Sequence, residues 1–181
     1  MSTSTAETIA LTSGTWTVDP SHSEIGFTVR HLMSKVRGQF TRFEGSLTTG
    51  DSLEQTRATA SIDLNSIDTR DEKRDGHLRS GDFFDVEKSG PMTFTTHSFD
   101  GETARGDLTI KGVTKPVELD VEFLGVGGDP WGGTRLGFEA TGVIVRKDWG
   151  VDFNVPLDGG NVMIGDKVTL HLAVEAVLQQ D

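Results

Sequence analysis

Apolar and polar residues alternate with a period of two along most of the chain from residue 14 onwards. This period predicts β-strands that bury one face. In residues 23–33 the apolar face carries Ile25, Phe27, Val29, His31 and Met33. Further alternating runs occupy residues 58–64, 92–96, 108–110, 117–123, 136–144 and 168–178. Turn signals rich in Gly, Pro and Asp separate these runs, so the pattern predicts about eight consecutive strands.

The second run changes phase part-way along its length. Its apolar positions are even-numbered up to Phe40 and odd-numbered from Phe43 to Leu47. A slip of one residue moves every following side chain to the other face of a strand. The sequence therefore predicts a β-bulge or a sharp bend near Thr41 and Arg42.

Residues 71–80 interrupt the alternation and predict one short helix. Acidic residues stand at the start of this segment and basic residues follow, which suits the helix dipole, although Gly76 weakens the helix. We expect Phe83 and Phe84, which come next, to pack onto an apolar end of the fold. The charged residues of the segment have two interpretations: a gate beside a binding site, or a helix pinned by its own pairs and by arginine contacts.

Strands that follow one another in hairpins, each with one apolar face, must close on themselves or stack as a sandwich. Closure removes the exposed edges and gives all apolar faces a common interior. We therefore predict an all-β fold, a single antiparallel β-barrel over residues 14–181, after a disordered N-terminal tail at residues 1–13. Small inward-facing residues either leave room for one slender ligand or accommodate the taper and the opposite Phe rings: Ala58, Ala60, Ala140, Gly142 and Ala176.

Composition narrows the function classes. The chain has 22 glycines in 181 residues, which favours turns and bends, and it has no cysteine, which excludes disulfides and thiolate chemistry. With 17 Lys and Arg against 28 Asp and Glu, the formal net charge is −11. Such a charge repels nucleic acid and anionic membrane surfaces. No signal peptide or membrane-spanning run is recognisable, so we predict a cytoplasmic protein without membrane insertion.

Motifs for catalysis or metal binding are lacking in the sequence. It contains no GxSxG elbow, P-loop or GxGxxG turn, and no HxH or HExxH spacing. His22, His97 and His171 fall at turns or on polar faces and are interpreted as surface residues. We therefore predict no catalytic residues, no metal site and no cofactor.

A series of motifs, taken together, resembles the YceI-like family. The motifs are WTVDPSHSEIGFTVRHLM (16–33), VRGQF (36–40), FEG (43–45), SIDTRD (66–71), RDGHLRSGDFFD (74–85), PMTF (91–94), GDLTIKGVTKPV (106–117), DPWG (129–132) and RKDWG (146–150). They run through nearly the whole chain in the family's order. The resemblance implies an extended lipocalin-like barrel that carries polyisoprenoid or related long-chain lipids, with frequent homodimers. Many relatives are secreted to the periplasm by a signal peptide, which this sequence lacks.

A ligand of this kind needs an apolar channel with a polar end. The predicted ligand-binding residues are Phe27, His31, Phe40, Phe83, Phe84, Phe94, Phe138, Arg146, Asp148 and Trp149. Among them His31 shares the inward phase of its strand. Arg146 and Asp148 continue the inward phase of the strand that carries Phe138 and Ile144. These three polar side chains are therefore predicted to meet the head group of the ligand. Alternatively, Arg146 pairs with Asp148 and His31 caps backbone groups.

Three functions remain open at this point. The first is a binding protein that carries or sequesters a long apolar lipid, such as a polyisoprenoid or an isoprenoid quinone. The second is an enzyme that acts on an isoprenoid-type lipid with His31 and either Asp148 or Arg146. The third is a stress-response protein that acts through its surface and has no internal channel.

Overall fold

The computed structural model describes residues 12–157 and 162–180. The predicted tail therefore lies outside the described residues, apart from Thr12 and Ser13. In the described part, one helix, α1 (Glu72–Arg79), accompanies these strands: β1 (Gly14–Val18), β2 (Glu24–His31), β3 (Ser34–Phe40), β4 (Phe43–Thr49), β5 (Arg57–Ile62), β6 (Ile67–Asp68), β7 (Met92–Phe99), β8 (Thr103–Ile110), β9 (Val113–Gly128), β10 (Thr134–Val145) and β11 (Ile164–Leu178). Within these residues, no helix is both long and apolar enough to cross a membrane.

Eight strands close an antiparallel barrel in the order β1-β4-β5-β7-β8-β9-β10-β11, and β11 pairs again with β1. The remaining strands, β2, β3 and β6, extend the sheet from the same β11. This extension is possible because β11 is long: its later residues pair with β1 and its earlier residues pair with β2. The predicted antiparallel barrel with one short helix near residues 71–80 is confirmed.

The predicted slip near Thr41 and Arg42 is a bend between two strands. β3 ends at Phe40, β4 begins at Phe43, and the two linking residues bind the segment that follows β5. The backbone N–H of Thr41 donates to the carbonyl of Ser66 at 3.2 Å, and the backbone N–H of Asp63 donates to the carbonyl of Arg42 at 3.0 Å. Because of this bend, the even-numbered apolar residues before it and the odd-numbered apolar residues after it both face the interior.

Contacts to neighbouring segments hold α1 against the barrel. Asp71 caps the helix by accepting the backbone N–H groups two and three residues further on, and these bonds lower the pKa of its carboxyl. The buried carboxylate of Asp75 accepts the backbone N–H of Thr69 at 3.0 Å. Arg79 donates to the backbone carbonyls of residues 65 and 67. These contacts favour the interpretation of a pinned helix for the charged segment.

Arg135 joins three carboxylates near the end of the barrel where β10 begins. Its Nη1 lies 2.8 Å from Asp19 Oδ2 and 2.7 Å from Glu175 Oε2, and its Nε lies 2.9 Å from Asp129 Oδ2. Hydrogen bonding to Arg135 is the main cause that holds the pKa of Asp19 and of Asp129 below the ordinary value. His22 also approaches Asp19 and Glu175, a grouping of metal-ligand types, but Arg135 already binds both carboxylates.

We expect the Arg135→Met variant to be less stable than the wild type at neutral pH and less sensitive to acid. A lowered pKa in the folded state means that the unfolded state binds more protons, so this stabilisation is present above the unfolded carboxyl pKa. It is lost as the pH falls below about 4. Urea unfolding between neutral and acid pH measures the difference. Arg105→Met is the control, because its ion pairs with Glu118 and Asp100 are exposed. Equal losses in both variants would contradict this role of Arg135.

Candidate functional site

Two adjacent cavities lie along the barrel interior. The larger, here called the upper cavity, has a volume of about 250 Å³ and lies next to α1. The smaller, called the lower cavity, has a volume of about 140 Å³ and reaches towards the start of β10. Both are lined by the same five residues where they meet, a ring we call the waist: Ile25, Ala60, Phe94, Leu119 and Leu172. Together the cavities reach the lower end of the ~300–1,000 Å³ range of small-molecule sites.

The channel walls are apolar because each strand turns its period-two apolar face inwards. Five of the six predicted Phe residues line the upper cavity: Phe27, Phe40, Phe83, Phe84 and Phe94. The sixth, Phe138, lines the lower cavity. The ring centroids of Phe27 and Phe40 lie 5.7 Å apart, and those of Phe40 and Phe84 lie 6.2 Å apart. An aromatic wall thus continues from the strands to the segment after α1.

The small residues serve both of the purposes that the sequence left open. Ala60 lies at the waist, and Ala58 and Ala140 line the lower cavity, so these positions leave room. Ala176 is fully buried in the cluster that surrounds Trp16. A Cβ atom at Gly142 would lie 2.7 Å from the Leu119 side chain. Ala176 and Gly142 therefore accommodate large neighbours rather than a ligand.

Polar side chains meet the upper cavity near α1 and the end of β2. His31 lines it from β2, and Thr69, Arg74 and His77 line it from α1 and the preceding turn. Arg74 Nε donates to Thr69 Oγ1 at 2.7 Å, and His77 Nε2 lies 2.7 Å from Asp82 Oδ2. Among the described residues, the His31 imidazole has no hydrogen-bond partner, so it does not cap backbone groups there. It is the polar group most available to a ligand.

Arg146 is buried at the same end, but its partners differ from both sequence interpretations. Its side chain donates to four backbone carbonyls: those of Gly165 at 2.9 Å, Val151 at 2.8 Å, Phe153 at 2.9 Å and Ile164 at 3.4 Å. Burial lowers the pKa of the guanidinium, and the charges of Asp166 and Asp152 oppose that shift. The alternative pairing of Arg146 with Asp148 is wrong. Arg146 lines the upper cavity and also holds the loop that follows it.

The predicted inward direction of Asp148 is wrong. β10 ends at Val145, and residues 146–149 form a 3₁₀ turn, so strand alternation does not continue to Asp148, which is exposed. Trp149 is buried in the core and donates its Nε1–H to the carbonyl of Leu108 at 2.8 Å, outside the lining of both cavities. Met33, assigned to the inward face of its strand, is also wrongly placed, because β2 ends at His31 and Met33 is exposed.

Three cavity residues between β10 and β11 were missed in the sequence. Val151, Phe153 and Met163 line the upper cavity from this segment, where no alternation marks them. The Phe153 ring packs against His77 and Phe83, with centroid distances of 4.9 and 5.1 Å. The only sequence signal at Phe153 is a large aromatic residue in a segment without strand periodicity. The cavity wall therefore includes a loop that periodicity cannot identify.

Comparisons with known proteins agree with the motif resemblance. The model of the YceI-like domain family matches residues 16–176. A UPF0312 protein of Staphylococcus epidermidis is 44% identical over 161 residues, covering 87% of this chain and 94% of that protein. The crystal structure of the Campylobacter jejuni YCEI protein has a TM-score of 0.70 at 31% identity, covering 83% of this chain and 90% of that chain. A polyisoprenoid binding domain from Saccharophagus degradans has a TM-score of 0.70 at 16% identity, covering 93% and 100%, and so shares the fold.

Proposed function

Because the chain belongs to the YceI-like domain family, we propose that it carries or sequesters one long apolar lipid in the barrel interior. The ligand is a polyisoprenoid, an isoprenoid quinone or a similar amphiphile. A solved domain of the same fold is described as polyisoprenoid-binding, which agrees with this lipid class.

The observation that carries the proposal is the shape and chemistry of the channel. Two cavities share a waist and their walls are almost entirely apolar. Two arginines, Arg74 and Arg146, and two imidazoles line the upper cavity only. An amphiphile fits this arrangement when its chain passes the waist and its polar group stays in the upper cavity. Burial of several hundred Å² of alkyl chain, at roughly 25 cal/mol per Å², supplies enough free energy for binding after the costs of association.

We assign the ligand contacts from the cavity walls. Phe27, Phe40, Phe83, Phe84 and Phe94 contact the part of the lipid in the upper cavity, and Phe138 contacts the part in the lower cavity. The His31 imidazole faces the polar group of the lipid. Arg146 contributes a positive charge to the same end while its bonds to carbonyls keep the loop in place.

The two alternative functions receive less support. The enzyme hypothesis requires His31 to act with Asp148 or Arg146, but Asp148 is exposed and the Arg146 guanidinium is turned to backbone carbonyls. A protein that acts only through its surface needs no internal channel, whereas this barrel contains two adjacent apolar cavities. Binding in the interior is therefore the function that the geometry supports best.

Purified protein is expected to carry one lipid per chain after gentle purification. Native mass spectrometry measures the mass of the complex, and organic extraction followed by mass spectrometry identifies the lipid. We expect a chain long enough to occupy both cavities, because the two cavities share the residues of the waist. Protein that purifies without a lipid, and that takes up neither a polyisoprenoid nor a quinone on incubation, would contradict the proposal.

The Ala60→Trp variant tests whether one ligand passes the waist. A Trp side chain at this position fills the junction of the two cavities, so we expect loss of long-chain lipid with retention of shorter apolar ligands in the upper cavity. Thr95→Trp is the matched control, because Thr95 lies on the neighbouring strand, next to Phe94, and is exposed. Circular dichroism and thermal unfolding establish that both variants fold. Unchanged long-chain lipid in folded Ala60→Trp would show that the ligand does not span the waist.

A further inference from the structure

The β2–β3 hairpin differs in charge from the rest of the molecule. Residues 28–37 contain Arg30, Lys35 and Arg37 and no carboxylate, in a chain whose formal net charge is −11. Arg30 lies directly opposite Lys35 across the two strands. Like charges in that position destabilise a strand pair. The hairpin thus concentrates positive charge at a cost to its own stability.

The tip of this hairpin exposes two large apolar side chains. Leu32 is 45% exposed, and Met33 is fully exposed at 104%. Leu32 has a φ of 54°, the left-handed region that bulky residues seldom adopt. A polar residue or a glycine would be the ordinary choice for such a turn, so apolar side chains in this place point to a surface that covers them.

The apolar surface continues onto the neighbouring loop. The backbone N–H of Leu32 donates to the carbonyl of Met163 at 2.8 Å, and the backbone N–H of Met163 donates to the carbonyl of Val155 at 3.0 Å. Val155 and Leu157 are 38% and 37% exposed. Met163 itself lines the upper cavity, so the exposed apolar patch lies beside the end of the channel that carries the polar groups.

The cations around this patch are available to a partner. Arg30, Lys35, Arg37 and the nearby Lys167 make no salt bridge within the described residues, whereas Lys147 pairs with Asp166 at 3.1 Å. Arg30 donates to the carbonyl of Leu32, which keeps its charge at the tip. Asp148 and Asp152 are exposed carboxylates of the segment between β10 and β11 and do not belong to the hairpin.

We propose that the β2–β3 hairpin and the Val155–Leu157 side of the neighbouring loop dock on the surface of an anionic lipid bilayer. Leu32 and Met33 enter the interface between head groups and acyl chains, and Arg30, Lys35 and Arg37 bind the acidic head groups. Docking is peripheral. It brings the polar end of the channel to the membrane, where a lipid can be exchanged, but adsorption itself does not depend on the identity of the interior ligand.

Charge favours a membrane over a second copy of this chain. In a symmetric dimer the same patch occurs on both subunits, so the cations of one hairpin would face those of the other. Lys35 and Arg37 also lie on a strand whose residues 34–38 have only β2 as a partner among the described residues. Lysine and arginine on such an edge oppose pairing with another strand. The negative charge of the rest of the chain orients the hairpin towards an anionic surface instead of preventing contact.

Flotation with lipid vesicles tests the proposal on the full-length protein. We expect the wild type to bind vesicles of equal parts phosphatidylglycerol and phosphatidylcholine at low salt, to bind phosphatidylcholine vesicles far less, and to lose most binding at ~0.5 M salt. Met33→Glu and the double variant Lys35→Glu/Arg37→Glu are each expected to weaken partitioning by at least ~10-fold. Met33, Lys35 and Arg37 are all exposed, so these substitutions do not threaten folding, and circular dichroism checks it.

Two controls separate local docking from net charge and hydrophobicity. Trp131→Glu removes an apolar residue that is 78% exposed outside the patch. Arg57→Glu/Lys88→Glu changes the net charge as much as the hairpin double variant, at exposed residues outside the hairpin. Both controls should bind like the wild type. Equal loss of vesicle binding in the charge control, or no vesicle binding by the wild type, would overturn the proposal. Sedimentation velocity tests the alternative partner. If the wild type is a dimer and Met33→Glu dissociates it, the patch binds a second copy of the chain and the proposal is wrong. Lipid content measured by mass spectrometry tests the interior ligand separately.

Discussion

Replacement of Arg146 with methionine is expected to lower the free energy of unfolding by about 3–5 kcal/mol. The guanidinium donates to the carbonyls of Gly165, Val151 and Phe153, and a methionine side chain of similar length satisfies none of them. Each buried carbonyl left without a donor costs roughly 1–3 kcal/mol. Urea unfolding measures the loss. Lys147→Met is the matched control, because the adjacent Lys147 is more than half exposed and its single ion pair is worth little.

The same variant should show where the lost bonds act. Arg146 connects the loop after β10 to the start of β11, and Phe153 on this loop closes the upper cavity against His77 and Phe83. We therefore expect amide hydrogen exchange to accelerate in residues 151–157 and 162–165 before the barrel strands exchange faster. The exchange rates of Arg146→Lys should lie between those of the wild type and Arg146→Met, since one ammonium group reaches fewer carbonyls. Uniform acceleration over the whole chain would contradict a local role.

The barrel could be predicted because its strands obey one simple rule. A strand that buries one face must place apolar residues at every second position, and β2, β9 and β11 do so over most of their length. The bend at residues 41 and 42 was predictable for the same reason, since it changes the phase of the pattern. The aromatic lining follows from these phases: Phe27, Phe94 and Phe138 face the interior as alternation requires.

The ends of strands carry no such rule, and the predictions failed there. Alternation continues through Val145 without a stop signal, yet the chain turns into a 3₁₀ segment that places Asp148 outside and Trp149 in the core. Arg146 remains inside because the carbonyls of residues 151, 153, 164 and 165 accept its N–H groups. Partners separated in this way leave no local pattern in the sequence. Phe153 and Met163 were missed for a related reason, because the walls they complete belong to a loop.

Trp16 closes the other end of the barrel. It is fully buried, and it packs with Leu47, Leu136 and Ala176, which come from three different strands. Its Nε1–H donates to Thr49 Oγ1 at 2.9 Å. Trp16 lies on β1, the short strand that pairs with β4 on one side and with β11 on the other, and thereby completes the ring. The side chain therefore stabilises the closure itself as well as the local core.

We expect Trp16→Ala to lower the free energy of unfolding by about 3–5 kcal/mol, through lost burial and a cavity that small neighbours such as Ala176 cannot fill. Opening of β1 also exposes the edges of β4 and β11, so the variant should aggregate more readily on heating. Urea unfolding and light scattering measure the two effects. Trp16→Phe keeps most of the volume but loses the bond to Thr49 and should cost less than Trp16→Ala. Trp131→Ala, at a position 78% exposed, is the control and should change stability by less than about 0.5 kcal/mol. If Trp16→Ala unfolds at the same urea concentration as Trp131→Ala, Trp16 does not stabilise the closure, and the pairing of β1 with β4 and β11 must suffice by itself.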